Sequence, residues 1–123
     1  ERSGVMVVSN LEPVSLPPDH ELTIYRVVQE ALTNTAKYAN ASSVTVTLHQ
    51  YTQHVELTVS DNGVGFDVTA RSTVSHGLVG MRHRVHALHG TLTVESGIGT
   101  GTRISANVPR IAITGETPAA ALA

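Results

Sequence analysis

The sequence predicts a two-layer α/β sandwich, a mixed and mainly antiparallel sheet covered by helices on one face. Three observations predict it. Two segments, Val44 to Leu48 and Val55 to Val59, alternate apolar and polar residues at the two-residue period of a half-buried strand. Two longer segments, about 19–39 and 77–89, carry apolar residues at helical spacing. The elements then run strand, helix, two strands, helix, two strands. Half-buried strands leave one sheet face for water, so both helices belong on the other.

Taken in order, Val5-Met6-Val7-Val8 is a short apolar run that reads as a strand. Pro13, Pro17 and Pro18 forbid regular structure up to Asp19, which reads as the N-cap of a helix ending near Ala39. On a helical wheel Leu22, Tyr25, Val28, Leu32, Ala36 and Ala39 share one side, and Arg26, Glu30, Asn34 and Lys37 the other. The two alternating strands follow, joined as an antiparallel hairpin by a turn near Thr52-Gln53. After Asp61-Asn62-Gly63-Val64-Gly65-Phe66 comes a polar stretch to His76. The second helix reads from Gly77 to His89, with Gly90 as its stop. Thr91 to Glu95 and Thr102 to Val108 are strands around the loop Gly97-Ile98-Gly99-Thr100-Gly101. Residues 1–110 thus form one domain, and 111–123, without pattern, read as a frayed tail.

Composition narrows the function. A formal net charge of −2 and a pI near 6.4 argue against nucleic acid as a partner. The chain has no cysteine, so it holds no disulfide framework and no thiolate metal site, as suits a cytoplasmic domain. No apolar run is long enough to span a bilayer. The first residue is Glu1 and a strand follows almost at once, which reads as a piece cut from a longer protein. His83, His86 and His89 recur at three-residue spacing without a nearby carboxylate and read as solvated helix residues.

Three glycine-rich clusters and one helix face could carry chemistry. Asp61-Asn62-Gly63-Val64-Gly65 sits at a strand end, where a carboxylate can accept from an adenine amino group and glycines allow close backbone approach; a plain surface turn has the same composition. Gly77-Leu78-Val79-Gly80-Met81 opens a predicted helix, whose free N–H groups and dipole favour phosphate, or it is simply a flexible loop. Gly99-Thr100-Gly101-Thr102 enters the last strand, where the Thr102 hydroxyl could support the carboxylate through a water, or it is only a turn. Neither a dinucleotide fingerprint nor a P-loop is present. On the first helix Glu30, Asn34 and Lys37 share a face at i, i+4 and i+7. An amide oxygen at Asn34 suits Mg²⁺, Lys37 suits phosphate, and Glu30 could orient a water or take a proton. The same spacing fits a solvated helix face.

The order of the four segments separates these alternatives. Gln29-Glu30-Ala31-Leu32-Thr33-Asn34-Thr35-Ala36-Lys37-Tyr38-Ala39 closely resembles the N box of sensor histidine kinases, and the three glycine clusters resemble their glycine boxes, in order and at the right separations over roughly residues 5 to 110. The Gln-Glu-Ala-Leu-Thr-Asn and Gly-Leu-Val-Gly-Met-Arg wording resembles the subgroup of nitrate, oxygen and membrane-fluidity sensors, the NarL-partner or DesK/NreB type. The resemblance implies the Bergerat ATP-binding fold shared with gyrase, Hsp90 and MutL. It implies that Asp61 reads the adenine amino group, that Asn34 holds Mg²⁺ and that Lys37 touches phosphate. Tyr38, Gly63, Gly65, Gly77, Leu78, Gly80, Met81 and Thr102 complete the implied ATP site, and residues 67–76 form its lid. Glu30 would act on an incoming histidine as base or orienter.

The implied reaction moves the γ-phosphoryl of ATP to a histidine nitrogen, by positioning and charge neutralisation. The implied partners are a dimerisation segment carrying that histidine, in a homodimer, and a response regulator. Tyr38 departs from the subgroup, which commonly has histidine there, yet it keeps a hydroxyl to donate. The local pair His20-Glu21 begins the N-box helix and does not read as the phosphoacceptor. Two rivals keep the fold: a serine kinase of the anti-sigma-factor type, and a degenerate ATP-binding scaffold.

Overall fold

The computed structural model describes residues 5–65 and 73–110, with Tyr38 and residues 73–76 described by backbone alone. The elements are β1 (Met6–Leu11), α1 (Pro18–Asn34) continued by a π-helical turn (Thr35–Ala39), β2 (Ser43–Gln50), β3 (His54–Asp61), α2 (Thr73–His86), β4 (Thr91–Ser96) and β5 (Thr102–Pro109). The tail beyond 110 and most of the lid lie outside the described residues.

The five strands form one sheet in the order β1-β2-β3-β5-β4. Only β1 and β2 pair in parallel; the other three pairings are antiparallel, with Val46 opposite Val59 and Val59 opposite Ile104. The mixed, mainly antiparallel sheet is therefore as expected. Period-two burial carries it: Val44 and Val46 on β2, Val55, Leu57 and Val59 on β3, and Ile104, Ala106 and Val108 on β5 are buried, while the residues between them are not. Ile24, Val27 and Ala31 of α1 and Leu78, Met81 and Val85 of α2 join these strands in a single core. The β2–β3 turn closes where expected, with Tyr51 N–H donating to His54 C=O at 2.8 Å.

Four expectations about the helices are corrected. Asp19 does not cap α1. Pro17 holds the cap position with ψ 154° and Pro18 follows as the first helical residue, where its missing N–H costs nothing. The Asp19 carboxylate instead accepts from the His20 ring at 2.9 Å, which holds its pKa below the usual value. The buried stripe of α1 is also rotated. Leu22 and Tyr25 are 50% and 61% exposed, and Ile24, Val27, Ala31, Thr35 and Ala39 face inward. Both stripes have helical spacing and both end at Ala39, and packing against the sheet selects the second.

Helix α2 starts at Thr73, not Gly77, so the last four residues of the expected lid are its first turn. It also stops differently. His89, at φ 64°, takes the left-handed position, and Gly90 N–H donates to Val85 C=O and His89 N–H to His86 C=O, both within 3.0 Å. Gly90 is needed for room instead: a β-carbon there would collide with the Asn107 carbonyl.

Candidate functional site

At one end of the sheet, a cavity of about 60 Å³ opens between α1 and the strand ends. Ala31, Asn34, Thr35 and Ala39 supply the α1 wall; Val59, Asp61, Thr102 and Ile104 supply the sheet wall; Gly65 and Leu78 close it. Its walls are largely apolar with a few polar groups, from Asn34, Thr35, Asp61 and Thr102, the make-up of a small-molecule site.

Asp61 is the polar anchor. It is the last residue of β3, where the chain leaves the sheet, so its side chain stands at the sheet's end. Its Oδ1 accepts from Gly63 N–H at 2.8 Å and from Thr102 N–H at 3.3 Å. Its Oδ2 accepts from the Thr35 hydroxyl at 3.2 Å. Partners on three segments thus fix the carboxylate in one orientation.

The first and third glycine clusters exist largely to make this possible. Gly63 lies so close to Ala39 that a β-carbon would strike its carbonyl, and Val64 N–H donates to that carbonyl at 2.8 Å. Gly65 has φ 69°, and a β-carbon there would strike the Gly97 carbonyl. Gly99 N–H in turn donates to Val64 C=O at 2.5 Å. These glycines approach other parts of the chain closely, Gly63 the end of the π-helical turn and Gly65 the loop at Gly97, and these contacts seat Asp61 beside Thr102. The Thr102 hydroxyl pairs with Ser96 Oγ at 2.8 Å, and the Thr102 backbone N–H reaches Asp61 directly.

Asn34 stands on the opposite wall. Its Nδ2 is buried and has no hydrogen-bond partner among the described residues. A buried amide end without a partner is costly unless a ligand completes it. Turned by 180°, the same amide aims its oxygen there, a donor type that a hard cation accepts.

Residues 19–112 match the model of the family described as histidine kinase-, DNA gyrase B- and HSP90-like ATPases. The chain belongs to this ATPase family. Among curated relatives it is 42% identical over 93 residues to the signal transduction histidine-protein kinase/phosphatase DegS of Brevibacillus brevis, a match covering 75% of this chain and 24% of that protein. It is 37% identical over 105 residues to DegS of Bacillus subtilis (strain 168), covering 83% of this chain and 27% of that protein. The chain thus spans about a quarter of the length of these relatives. Among solved structures it resembles the mycobacterial sensor histidine kinase MprB, at 26% identity and a TM-score of 0.71, over 88% of this chain and 83% of that one. The resemblance carried by the four motifs is borne out, and so is the fold it implied.

Within this ATPase fold the expected site residues do not all lie together. Asn34, Asp61, Gly65, Leu78 and Thr102 line the cavity. Met81 is 1% exposed and belongs to the core, and Gly80 has open space around its α-carbon. Lys37 is exposed on the π-helical turn, and the Tyr38 side chain lies outside the described residues. Gly77 is the fifth residue of α2, so its N–H falls inside the regular helix ladder and is not one of the free groups that favour phosphate.

Gly77 has a different neighbour. The Glu30 side chain lies across it: a β-carbon at Gly77 would meet the Glu30 carboxylate oxygen, with Cδ at 3.0 Å. Gly77→Ala should therefore shift the carboxylate while leaving the fold intact. Alanine in place of glycine inside a helix gains about 0.8–1.0 kcal/mol, so thermal melting should hold steady or rise. If Glu30 acts on the nucleophile, phosphoryl transfer should nevertheless fall, by up to about a hundredfold for a displacement near 1 Å. A lower melting temperature, or transfer at the original rate, would count against this placement.

Sequence reasoning missed Ala31, Thr35, Ala39, Val59 and Ile104 as cavity walls. The signal was present: Ile24, Val27, Ala31, Thr35 and Ala39 continue one helical stripe, with Thr35 a hydroxyl on an otherwise apolar line.

Proposed function

We propose that this chain binds Mg-ATP and transfers its γ-phosphoryl to a histidine on the dimerisation segment of the same protein, for relay to a response regulator. The observation that carries this reading is Asp61. Its carboxylate is held by three donors in a largely apolar cavity, with the Asn34 amide, whose Nδ2 has no partner among the described residues, on the facing wall. Membership of the ATPase family supports ATP as the ligand, and likeness to the DegS kinases supports histidine as the acceptor. The protein acts as a homodimer with this domain in the cytoplasm, and no helix of the described residues is long and apolar enough to cross a membrane.

In this reading Asp61 Oδ2 accepts from the adenine amino group while Val59, Leu78 and Ile104 cover the ring. Asn34 holds Mg²⁺, which supplies positive charge to the phosphates. Lys37, at the exposed end of the same helix, meets phosphate oxygens. The acceptor histidine nitrogen attacks the γ-phosphorus, the bond to the β-phosphate oxygen breaks, and ADP leaves with the electron pair. Glu30 takes the proton that the ring loses.

His20 is a poor acceptor. It sits 14 residues before Asn34 on α1, about 21 Å along the axis, and its ring is tied to Asp19. The test is radiolabel transfer from ATP to the dimerisation segment of the protein added in trans. Label that is stable to base and labile to acid should appear on that segment and not on this chain. Label on serine would favour the serine-kinase rival, and nucleotide binding without transfer would favour the scaffold.

Asn34→Ala separates metal binding from base binding. Loss of a ligand's outer-shell partner costs roughly 10–100-fold in metal affinity, and loss of the ligand itself should cost at least about tenfold. Calorimetry should show Mg-ATP affinity reduced by that factor, and ADP affinity in chelator unchanged. Equal loss in both would make Asn34 structural.

A further inference from the structure

We propose that Thr35 is a specificity-determining residue of this site: its hydroxyl sets the adenine-facing oxygen of Asp61 so that one acceptor position remains for the base. The inference rests on the reading of Asp61 as the adenine contact. It starts from position. Thr35 begins the π-helical turn, a wider coil than the α-helix that precedes it, and it lines the cavity while only 5% exposed. No other polar residue is as fully buried among the described residues. Its hydroxyl carries one proton and has two acceptors within reach, Ala31 C=O at 3.1 Å and Asp61 Oδ2 at 3.2 Å. The carboxylate is the charged acceptor and makes the stronger bond.

The hydrogen-bond count follows from these contacts. A carboxylate offers about four acceptor positions, two on each oxygen. Gly63 and Thr102 N–H groups fill those on Oδ1. Among the described residues, the Thr35 hydroxyl fills one on Oδ2 and leaves one. That vacancy suits a single N–H, such as the 6-amino group of adenine, and opposes a carbonyl at the same place. Without the hydroxyl, Oδ2 has an apolar neighbour, and the carboxylate can turn about its own axis, away from the geometry that tells an amino group from an oxygen.

Thr35→Val keeps the shape and removes the hydroxyl. The readout is the ratio of affinities for ADP and for inosine diphosphate, which differ where Asp61 reads the base. We expect ADP affinity to fall about five- to tenfold, the net worth of one ordinary hydrogen bond, since the lost bond positions the carboxylate without touching the base, and inosine diphosphate affinity to change little, so that the ratio narrows. Thr35→Ser should restore the ratio. A merely structural threonine would change both affinities alike, and an unchanged ratio in Thr35→Val would overturn the proposal. If the valine variant does not fold, Thr35→Ala gives the same comparison by the same criteria. Asp61→Asn, measured alongside, keeps the two claims apart: unchanged ADP affinity there removes the reading of Asp61 itself, whatever Thr35 does.

Discussion

Asp61→Asn should lower adenine-nucleotide affinity by about 2–4 kcal/mol, the cost of losing a hydrogen bond to a charged acceptor and of pointing a donor at a donor. The structure says why the variant should still fold. The amide oxygen can stay on the side of Gly63 and Thr102, whose N–H groups both need an acceptor. The amide nitrogen then takes the place of Oδ2. Thr35 can receive it, because its hydroxyl proton can turn to Ala31 C=O and leave an oxygen lone pair for the new N–H. The loops therefore keep their partners, and the base loses its own. Melting temperature should move little while calorimetry with ADP shows the loss. Inosine diphosphate carries an oxygen where adenine carries its amino group, and it should bind the variant better than the parent. Unchanged ADP affinity, or loss of both nucleotides together with the fold, would contradict this account.

The fold was legible because its signals were local and mutually consistent. Alternation in Val44–Leu48 and Val55–Val59 fixes which face of the hairpin is buried, since a slip of one residue would turn every valine outward. Chain order then leaves few topologies for two helices and five strands. What sequence could not settle was the choice between equivalent local patterns. Leu22, Tyr25 and Val28 make as good an apolar stripe as Ile24, Val27 and Ala31, and only packing against the sheet selects the second. Thr73 to Gly77 had no strong start signal, and the glycine at 77 looked like a beginning when it lies one turn inside.

The site was partly legible for a related reason. Asp61 and Asn34 stood out as polar residues in a recognisable order, and the cavity contains both. Thr35 did not stand out, because a threonine in a helix usually bonds its own i−4 carbonyl, and nothing local says that a strand end brings a carboxylate to the same hydroxyl. In the sequence the glycines read as ligand contacts, and the structure shows a further use, Gly63 and Gly65 packing closely against Ala39 and Gly97. Contacts between segments 26 residues apart, as for Thr35 and Asp61, exist only in the folded chain.

Glu30→Gln should slow phosphoryl transfer much more than it weakens ATP binding. Glu30 lies one turn before Asn34 on α1, half-buried, with its carboxylate across Gly77. A carboxylate so near the residue proposed to hold Mg-ATP repels the phosphates, and it contributes usefully only through the nucleophile, which must shed a proton as its nitrogen attacks. General-base catalysis of that kind supplies about 10²–10⁴-fold. Glutamine has the same shape, so it should rest against Gly77 as glutamate does and leave α1 and α2 in place. It cannot take a proton. Transfer to the dimerisation segment in trans should fall by at least about a hundredfold, and ATP affinity should hold or rise slightly as the repulsion disappears. The slow rate of the trans reaction does not blur the comparison, since lost tethering lowers parent and variant alike. Raising the pH tests the role further: if Glu30 removes the proton, the parent should outrun the variant by less as hydroxide takes over that task. Transfer by Glu30→Gln at the parental rate would remove Glu30 from the chemistry. A parallel fall in ATP affinity would make it a binding residue instead.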